Sequence, residues 1–185
     1  MNQKKKGNKA ERFAAAIWNE WAKRSGKTWK YGRVPQSGAL RWHKTTGTTG
    51  DITSTTEGHV LQFCIEVKSH AEIDFSQLLR PELKGVKILE FWKQCTDDAA
   101  RAGRIPLLMC RYNGLPKGKF FIVMRVEDLN NLEMVVVDDN RIDPILICPN
   151  PGLGIFMSDG LLKLPYSKIH KAAKLINKKR NGKKD

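Results

Sequence analysis

Apolar residues recur at helical spacing in three segments of the chain. In each segment they follow one another at intervals of three and four residues, which places them on one face of an α-helix. The pattern predicts helices over residues 8–24 and 86–102, and a third from residue 166 towards the C-terminus. The three apolar stripes are Ala10, Phe13, Ala14, Ile17 and Trp21; Ile88, Phe91, Trp92, Cys95, Ala99 and Ala102; and Tyr166, Ile169, Ala173 and Ile176. Ser25-Gly26 ends the first helix, and Gly103 stands at the C-cap of the second.

Other segments show the alternating or continuous apolar patterns of β-strands. Residues 51–56 and 60–69 are predicted to form a hairpin with Glu57-Gly58 at its tip. Its second strand alternates Leu61, Phe63, Ile65 and Val67 with Gln62, Cys64, Glu66 and Lys68. Further strands are predicted over 28–34, 105–112, 119–126, 135–137 and 145–148, whereas 149–160 is predicted to be irregular. This order predicts an α/β fold in which helices flank both faces of a mixed central β-sheet.

The charge is concentrated at the two ends of the chain. Residues 1–9 carry four lysines and no acid, and residues 163–185 carry nine bases against Asp185, so these segments hold +12 of the formal net charge of +14. Residues 21–50 also contain seven bases and no acid, and this basic stretch includes the Gly- and Thr-rich loop that precedes Asp51. Strong positive charge favours an acidic partner, most often nucleic acid.

Length and cysteine spacing narrow the class of protein. The 185 residues are enough for one domain with a sizeable core. The four cysteines form no CxxC pair, which argues against a zinc ribbon or a disulfide framework. The apolar run Phe13–Trp18 is too short for a signal peptide or a membrane span. We therefore expect an intracellular, cytoplasmic protein that makes no contact with membranes.

Asp51, Glu66 and Lys68 form the candidate chemical site. Asp51 begins one predicted strand, and Glu66 lies near the end of its hairpin partner, so the two carboxylates can meet across the ladder. Because strand side chains alternate, Glu66 and Lys68 project from the same face. Converging carboxylates can hold a hard divalent cation, and an adjacent ammonium can neutralise charge that develops on a phosphate. The constellation is typical of metal-dependent phosphodiester hydrolysis.

The tripeptide of an acid, any residue and lysine is weak evidence by itself. A second copy, Glu82-Leu83-Lys84, follows Pro81 outside any strand pattern, and we expect its charges to face solvent. The alternative for Glu66 and Lys68 is an ion pair on an exposed hairpin, which would contribute little to stability. The presence of Asp51 and of the preceding basic loop favours the chemical role.

Four sequence blocks together resemble a known family of nucleases. They are Gly7 to Arg12 with Glu11, Arg33-Val34-Pro35 with Ser37-Gly38, Gly50-Asp51-Ile52, and Ile65-Glu66-Val67-Lys68. Their order and spacing are similar to those of the archaeal-type Holliday-junction resolvases and their phage relatives, within the PD-(D/E)xK superfamily. The resemblance covers about residues 7–112 and implies a restriction-endonuclease-like core. The loop before Asp51, with Trp42 and His43, is longer than in that family.

The resemblance implies roles for individual residues. Asp51 and Glu66 bind Mg²⁺, for which Mn²⁺ can substitute, together with the backbone carbonyl of Val67, and Lys68 serves the attacking water. Glu11 is an additional acid near the metal, and Ser37 reaches the scissile strand. The residues expected to contact DNA are Lys30, Arg33, Arg41, Trp42, Lys44 and Gln94, the last from the helix beneath the site. His43 is expected to contact DNA or solvent.

These features lead to one favoured function and two alternatives. The favoured function is an Mg²⁺-dependent endonuclease that cuts four-way DNA junctions symmetrically as a homodimer. Its nuclease domain spans 10–176, with basic tails at 1–9 and 177–185. The first alternative is a nuclease of restriction, repair or DNA-degradation type, because one catalytic core serves many substrates. The second is a basic nucleic-acid-binding protein without catalysis.

Overall fold

The computed structural model describes residues 3–34, 49–133 and 144–182. Its helices are α1 (Gln3–Arg24), α2 (Lys87–Ala102), α3 (Val126–Glu133), α4 (Ser158–Lys163) and α5 (Tyr166–Asn181). Its strands are β1 (Tyr31–Arg33), β2 (Ile52–Ser54), β3 (Phe63–Ser69), β4 (Ile105–Arg111), β5 (Phe121–Arg125), β6 (Leu146–Cys148) and β7 (Leu153–Met157). The strand predicted at 135–137 lies outside the described residues.

The strands of the described part form one mixed sheet in the order β1-β2-β3-β4-β5-β7-β6. β3 and β4 run parallel, joined through α2, and all other neighbours are antiparallel. The α/β fold with a mixed, helix-flanked sheet is confirmed. Because β3 has a neighbour on each side and helices over both faces, its two ends are the places where its polar side chains can reach solvent.

Alternate side chains of the central strands enter two separate apolar clusters. On one face, Ile65, Leu107 and Met109 pack against α1, α4 and α5. On the other face, Leu108 and Cys110 pack against Ile88, Trp92 and Cys95 of α2. The α2 stripe and its left-handed C-cap at Gly103 (φ 62°) are as predicted. The predicted α1 stripe is also correct, since Ala10, Ala14, Ile17 and Trp21 are buried in the core and Phe13 packs against it.

The two terminal helices include much of the lysine-rich sequence at the ends of the chain. α1 begins at Gln3 rather than at residue 8, so the lysine-rich start of the chain is largely helical. α5 continues to Asn181. Near its end, Arg180 pairs with the fully buried Asp128 of α3, an ion pair that fastens the C-terminal helix to the body. No helix of the described part is long and apolar enough to cross a membrane.

The irregular connection predicted over 149–160 is wrong. This segment contains β7, a strand with neighbours on both sides, and the start of α4. Leu153, Gly154, Ile155 and Phe156 are all buried, so the strand has no polar alternation to reveal it. The close approach of α3 explains why this strand has a glycine at position 154. A Cβ there would lie 3.2 Å from Leu129 Cδ2.

Candidate active site

Asp51 is held immediately before β2 by backbone and side-chain hydrogen bonds to β3. Its N–H donates to the carbonyl of Ile65 at 2.7 Å, and its Oδ2 accepts the N–H of Val67 at 2.8 Å. The antiparallel pairing of Ile52 with Ile65 places Asp51 beside Glu66 across the ladder. The meeting of these two carboxylates, expected from the hairpin, is what the structure shows.

Gly50 allows this close approach of the two strands. Its φ is +77°, and a Cβ added there would lie 2.5 Å from the carbonyl oxygen of Ile65, the acceptor of the Asp51 N–H. A side chain at this position would therefore push Asp51 away from β3. Glycine is required here both for backbone conformation and for space.

Glu66, Lys68 and Gln94 form a closed set of hydrogen bonds. Lys68 Nζ donates to Glu66 Oε1 at 2.6 Å and to Gln94 Oε1 at 2.9 Å, while Gln94 Nε2 donates to Glu66 Oε1 at 2.8 Å. Glu66 is 3% exposed, which excludes the alternative of an ion pair on an exposed hairpin. In contrast, Glu82 and Lys84 face solvent as predicted. Gln94 contacts the two other side chains from α2, so its amide fixes both ends of the pair.

The surroundings of both carboxylates raise their pKa values. Burial, together with the neighbouring charge of Glu66, raises the pKa of Asp51 to about 7. Burial also raises the pKa of Glu66, although the ammonium of Lys68 opposes this. Strongly shifted acids in a cleft are characteristic of functional sites. A cation placed between the two carboxylates would remove the cost of ionising both.

Glu11 adds a third acid on the α1 side of the site. It is 6% exposed, and its charge contributes to the raised pKa values of Asp51 and Glu66. The Nε of Arg33 donates to Glu11 Oε2, and an Nη of Arg33 donates to Asn8 Oδ1 at 2.6 Å. Arg33, predicted to contact DNA, is therefore also engaged within the protein.

A cavity of about 510 Å³ opens beside the two carboxylates. It is lined by Thr49, Gly50, Asp51, Glu66, Gln94, Asp98 and Arg101. Asp98 and Arg101 pair with each other on α2, one and two turns after Gln94. Sequence reasoning did not single out this pair; helical spacing from Gln94 was the available signal.

Comparison with known proteins identifies the family to which the chain belongs. A family model described as "Phage putative PDDEXK endonuclease" matches residues 2–143 of the chain. The chain belongs to this family. No curated protein and no solved structure matches it. Membership confirms the superfamily and the phage relatives expected from the sequence blocks, and it supports a nuclease with a restriction-endonuclease-like core. The match extends past residue 112, where the sequence resemblance stopped.

Members of the PD-(D/E)xK superfamily generally use divalent metals, and the site residues of this endonuclease family member fit such an ion. Hard cations bind carboxylate and carbonyl oxygens, and the buried Glu66 and the half-buried Asp51, both with raised pKa values, meet here. Within the described ranges, no group of three or more His, Cys, Asp or Glu side chains is arranged to hold a metal. The further ligands predicted from the sequence are the backbone carbonyl of Val67 and the carboxylate of Glu11.

Five of the residues with predicted roles at the DNA lie outside the described residues, namely Ser37, Arg41, Trp42, His43 and Lys44. Lys30 is exposed at the start of β1, where its backbone bonds Thr55 and Thr56. Its predicted contact with DNA stays a prediction.

Proposed function

We propose that this chain is an Mg²⁺-dependent DNA endonuclease whose active site is formed by Asp51, Glu66 and Lys68. The observation that carries the proposal is the pair of carboxylates at the junction of β2 and β3, where the half-buried Asp51 accepts the Val67 N–H and the buried Glu66 accepts the Lys68 ammonium. Burying such charges is costly unless a ligand or a reaction uses them. Family membership supplies the reaction class independently of this geometry.

Each protein group has a distinct task in the proposed mechanism. Asp51 and Glu66 would hold the ion with the Val67 carbonyl. A divalent ion held there would supply Lewis-acid polarisation of the phosphate and activation of water. Lys68 holds the attacking water or stabilises the negative charge that develops on the phosphate. Gln94 keeps the Lys68 ammonium and the Glu66 carboxylate in one orientation, which limits the reorganisation needed during the reaction.

Further residues are proposed to support catalysis and DNA contact. Glu11 is a candidate third acidic group at the ion, and Ser37 a candidate contact to the scissile strand. The basic loop contributes Arg41, Trp42 and Lys44 to DNA binding, beside Lys30 and Arg33. Gln94 is proposed to contact DNA from within the hydrogen-bonded set that it forms with Glu66 and Lys68. Mn²⁺ is proposed as a substitute for Mg²⁺.

The proposed substrate is a four-way DNA junction, cut by a homodimer. Support comes from the four sequence blocks that resemble junction resolvases. Physical support comes from stoichiometry: the described residues provide one carboxylate site, whereas resolution needs two cuts related by the symmetry of the junction. A closed two-fold dimer supplies two such sites in matching positions.

A panel of DNA shapes tests this substrate. Purified protein with Mg²⁺ is given end-labelled four-way junction, flap and linear duplex of the same sequence, and cuts are mapped on every strand. We expect paired cuts at symmetric positions on opposing junction strands and sedimentation as a dimer. A monomer that cuts linear duplex as fast as the junction would instead assign the site to the restriction, repair or degradation type.

The organisation of the chain is proposed with this function. Residues 10–176 are the nuclease domain, and residues 1–9 and 177–185 are basic ends that add affinity for DNA phosphates. The cytoplasm of an infected host is the proposed place of action.

A further inference from the structure

A second, smaller cavity lies at the carboxyl ends of the parallel strands β3 and β4. Its volume is about 170 Å³, and its lining includes Lys9, Phe13, Ser69, Arg111, Asn113 and Lys117. Ser69 and Arg111 are register partners at the last position of the two strands. The carboxyl ends of parallel strands are a common place for ligand binding in α/β sheets.

The lining of this cavity is strongly positive. Lys9, Arg111 and Lys117 contribute three cations, and no carboxylate of the described residues lines the cavity. Among the described residues, none of these three cations has a carboxylate partner within salt-bridge distance. The hydroxyl of Ser69 and the amide of Asn113 add neutral hydrogen-bonding groups. This combination suits an anion with several acceptor oxygens.

Arg111 is held in place before any ligand binds. One Nη donates to the carbonyl of Leu115 at 2.9 Å, and the guanidinium carbon lies 5.7 Å and 5.6 Å from the ring centroids of Phe13 and Phe120. Lys9 Nζ lies 5.9 Å from the Phe13 centroid. Contacts of this kind restrict the side chain, so less conformational entropy is lost when it binds an anion.

The cavity is next to the candidate active site but separate from it. Ser69 directly follows Lys68 in the chain. Because strand side chains alternate, Ser69 points to the α1 face and Lys68 to the α2 face. An anion bound between Ser69 and Arg111 is therefore not the group that Lys68 contacts.

We propose that this cavity binds a backbone phosphate of the DNA substrate other than the scissile one. The proposal rests on the proposed function, since a nucleic-acid strand at Lys68 presents further phosphates to this neighbouring end of the sheet. The subsite would fix the position of the strand, because phosphate contacts set register and orientation without reading sequence.

The first test compares two charge-matched double variants. Lys9→Gln with Lys117→Gln removes two exposed cations from the cavity. Lys171→Gln with Lys174→Gln removes two exposed lysines of α5, a helix that reaches the opposite end of β3, where Asn177 Nδ2 donates to the Gln62 carbonyl. DNA binding is measured in EDTA over a range of salt. For duplex DNA the slope of log affinity against log salt should shrink by about 1.8 in the cavity variant, at about 0.9 per lost contact. The α5 variant should keep the wild-type slope.

The second test identifies the phosphate. Single neutral methylphosphonates are placed at successive positions on either side of the cut. At one position, the methylphosphonate should weaken binding by the wild type but not by the Lys9→Gln, Lys117→Gln variant. The substitution in the DNA and the substitutions in the protein would then remove the same contact. Arg111→Lys keeps the charge and loses the planar guanidinium. It should weaken DNA binding less than the Lys9→Gln, Lys117→Gln variant does.

The results separate this subsite from the nuclease activity. The subsite proposal would be overturned by equal salt slopes in the two double variants. It would also be overturned if the methylphosphonate and the lysine substitutions weakened binding additively at every position. If the protein binds through the cavity yet cuts no DNA with Mg²⁺ or Mn²⁺, the proposed function fails while the phosphate site stands. Thermal unfolding of each variant at the wild-type midpoint excludes a folding defect.

Discussion

Gln94 donates its side-chain amide to Oε1 of Glu66 at 2.8 Å, although 28 residues separate them in the sequence. Its oxygen accepts from Lys68 at 2.9 Å, so one amide orients both groups of the site. Gln94→Leu should lower activity or metal affinity by about 10- to 100-fold, as loss of a side chain that hydrogen-bonds a metal ligand typically does.

The Gln94 prediction is checked by titrating activity against Mg²⁺ concentration. A positioning role predicts a higher half-saturating Mg²⁺ concentration, a lower maximal rate, or both. Gln77→Leu is the control, because Gln77 Nε2 bonds Asp74 in the 3₁₀ turn Phe75–Leu79, away from the carboxylates. A Gln94→Leu titration that overlays the wild type would show that the amide has no role at the site.

Gly50→Ala should be more destabilising than Gly58→Ala. Both glycines have a positive φ, +77° and +69°, so alanine incurs a similar backbone cost of about 1 kcal/mol at either position. Only at Gly50 would the new Cβ meet backbone, 2.5 Å from Ile65 O, whereas nothing lies within 4 Å at Gly58. The difference between the urea unfolding free energies of the two variants measures the cost of the clash at Gly50. Equal losses would mean that β2 can move away from β3 without cost.

Asp51→Asn should stabilise the metal-free protein at pH 8. A carboxyl whose folded pKa is raised from 3.8 to about 7 favours folding at low pH, and that contribution is lost as pH rises through this window. Asparagine has no charge to bury and keeps an acceptor for Val67 N–H. The gain should be on the order of a few kcal/mol.

Thermal melts in EDTA measure this gain, with the exposed Asp97→Asn as the control. Adding Mg²⁺ should raise the melting temperature of the wild type, because an ion bound to the folded state stabilises it by mass action. The same addition should have little effect on Asp51→Asn. A wild-type melting temperature that does not respond to Mg²⁺ or Mn²⁺ would argue against an ion between these carboxylates.

His59 should make the fold sensitive to mild acid. It stacks on Trp29 with ring centroids 4.0 Å apart, bonds the Tyr31 hydroxyl at 2.8 Å and faces His170. Burial, with a smaller effect of His170, lowers the pKa of His59 to about 4. A depressed histidine pKa contributes stability above about pH 6.5 that is lost as pH falls towards 4. His59→Gln should therefore lose less stability than the wild type between pH 7 and 4.5, as measured by urea midpoints. Equal losses in the two proteins would contradict a role for His59 in the acid sensitivity.

Local patterns predicted the elements that position the proposed catalytic groups. The alternation from Leu61 to Lys68 placed Glu66 and Lys68 on one face, and the helical stripes of α1 and α2 were correct because those faces are the core. Period and polarity report burial directly, so such elements are visible in sequence.

The remaining features depend on contacts between distant residues. β7 was missed because burial on both faces removes its alternation, and Gly154 resembles a turn residue until the proximity of Leu129 is known. The pairing of Glu11 with Arg33, and the approach of Asp98 and Arg101 to the carboxylates, follow from how α1 and α2 lie on the sheet. No local pattern specifies such arrangements.

The most direct test of the active-site assignment is DNA cleavage by the wild type and by Glu66→Gln, each with Mg²⁺ and with excess EDTA. Glutamine keeps the size of the side chain and an acceptor for Lys68, and it removes the charge that would hold the ion. We expect cleavage only by the wild type with Mg²⁺, while both proteins bind the same DNA in EDTA. Wild-type cleavage in EDTA, or full activity of Glu66→Gln, would contradict the assignment of Asp51, Glu66 and Lys68 as a metal-dependent nuclease site.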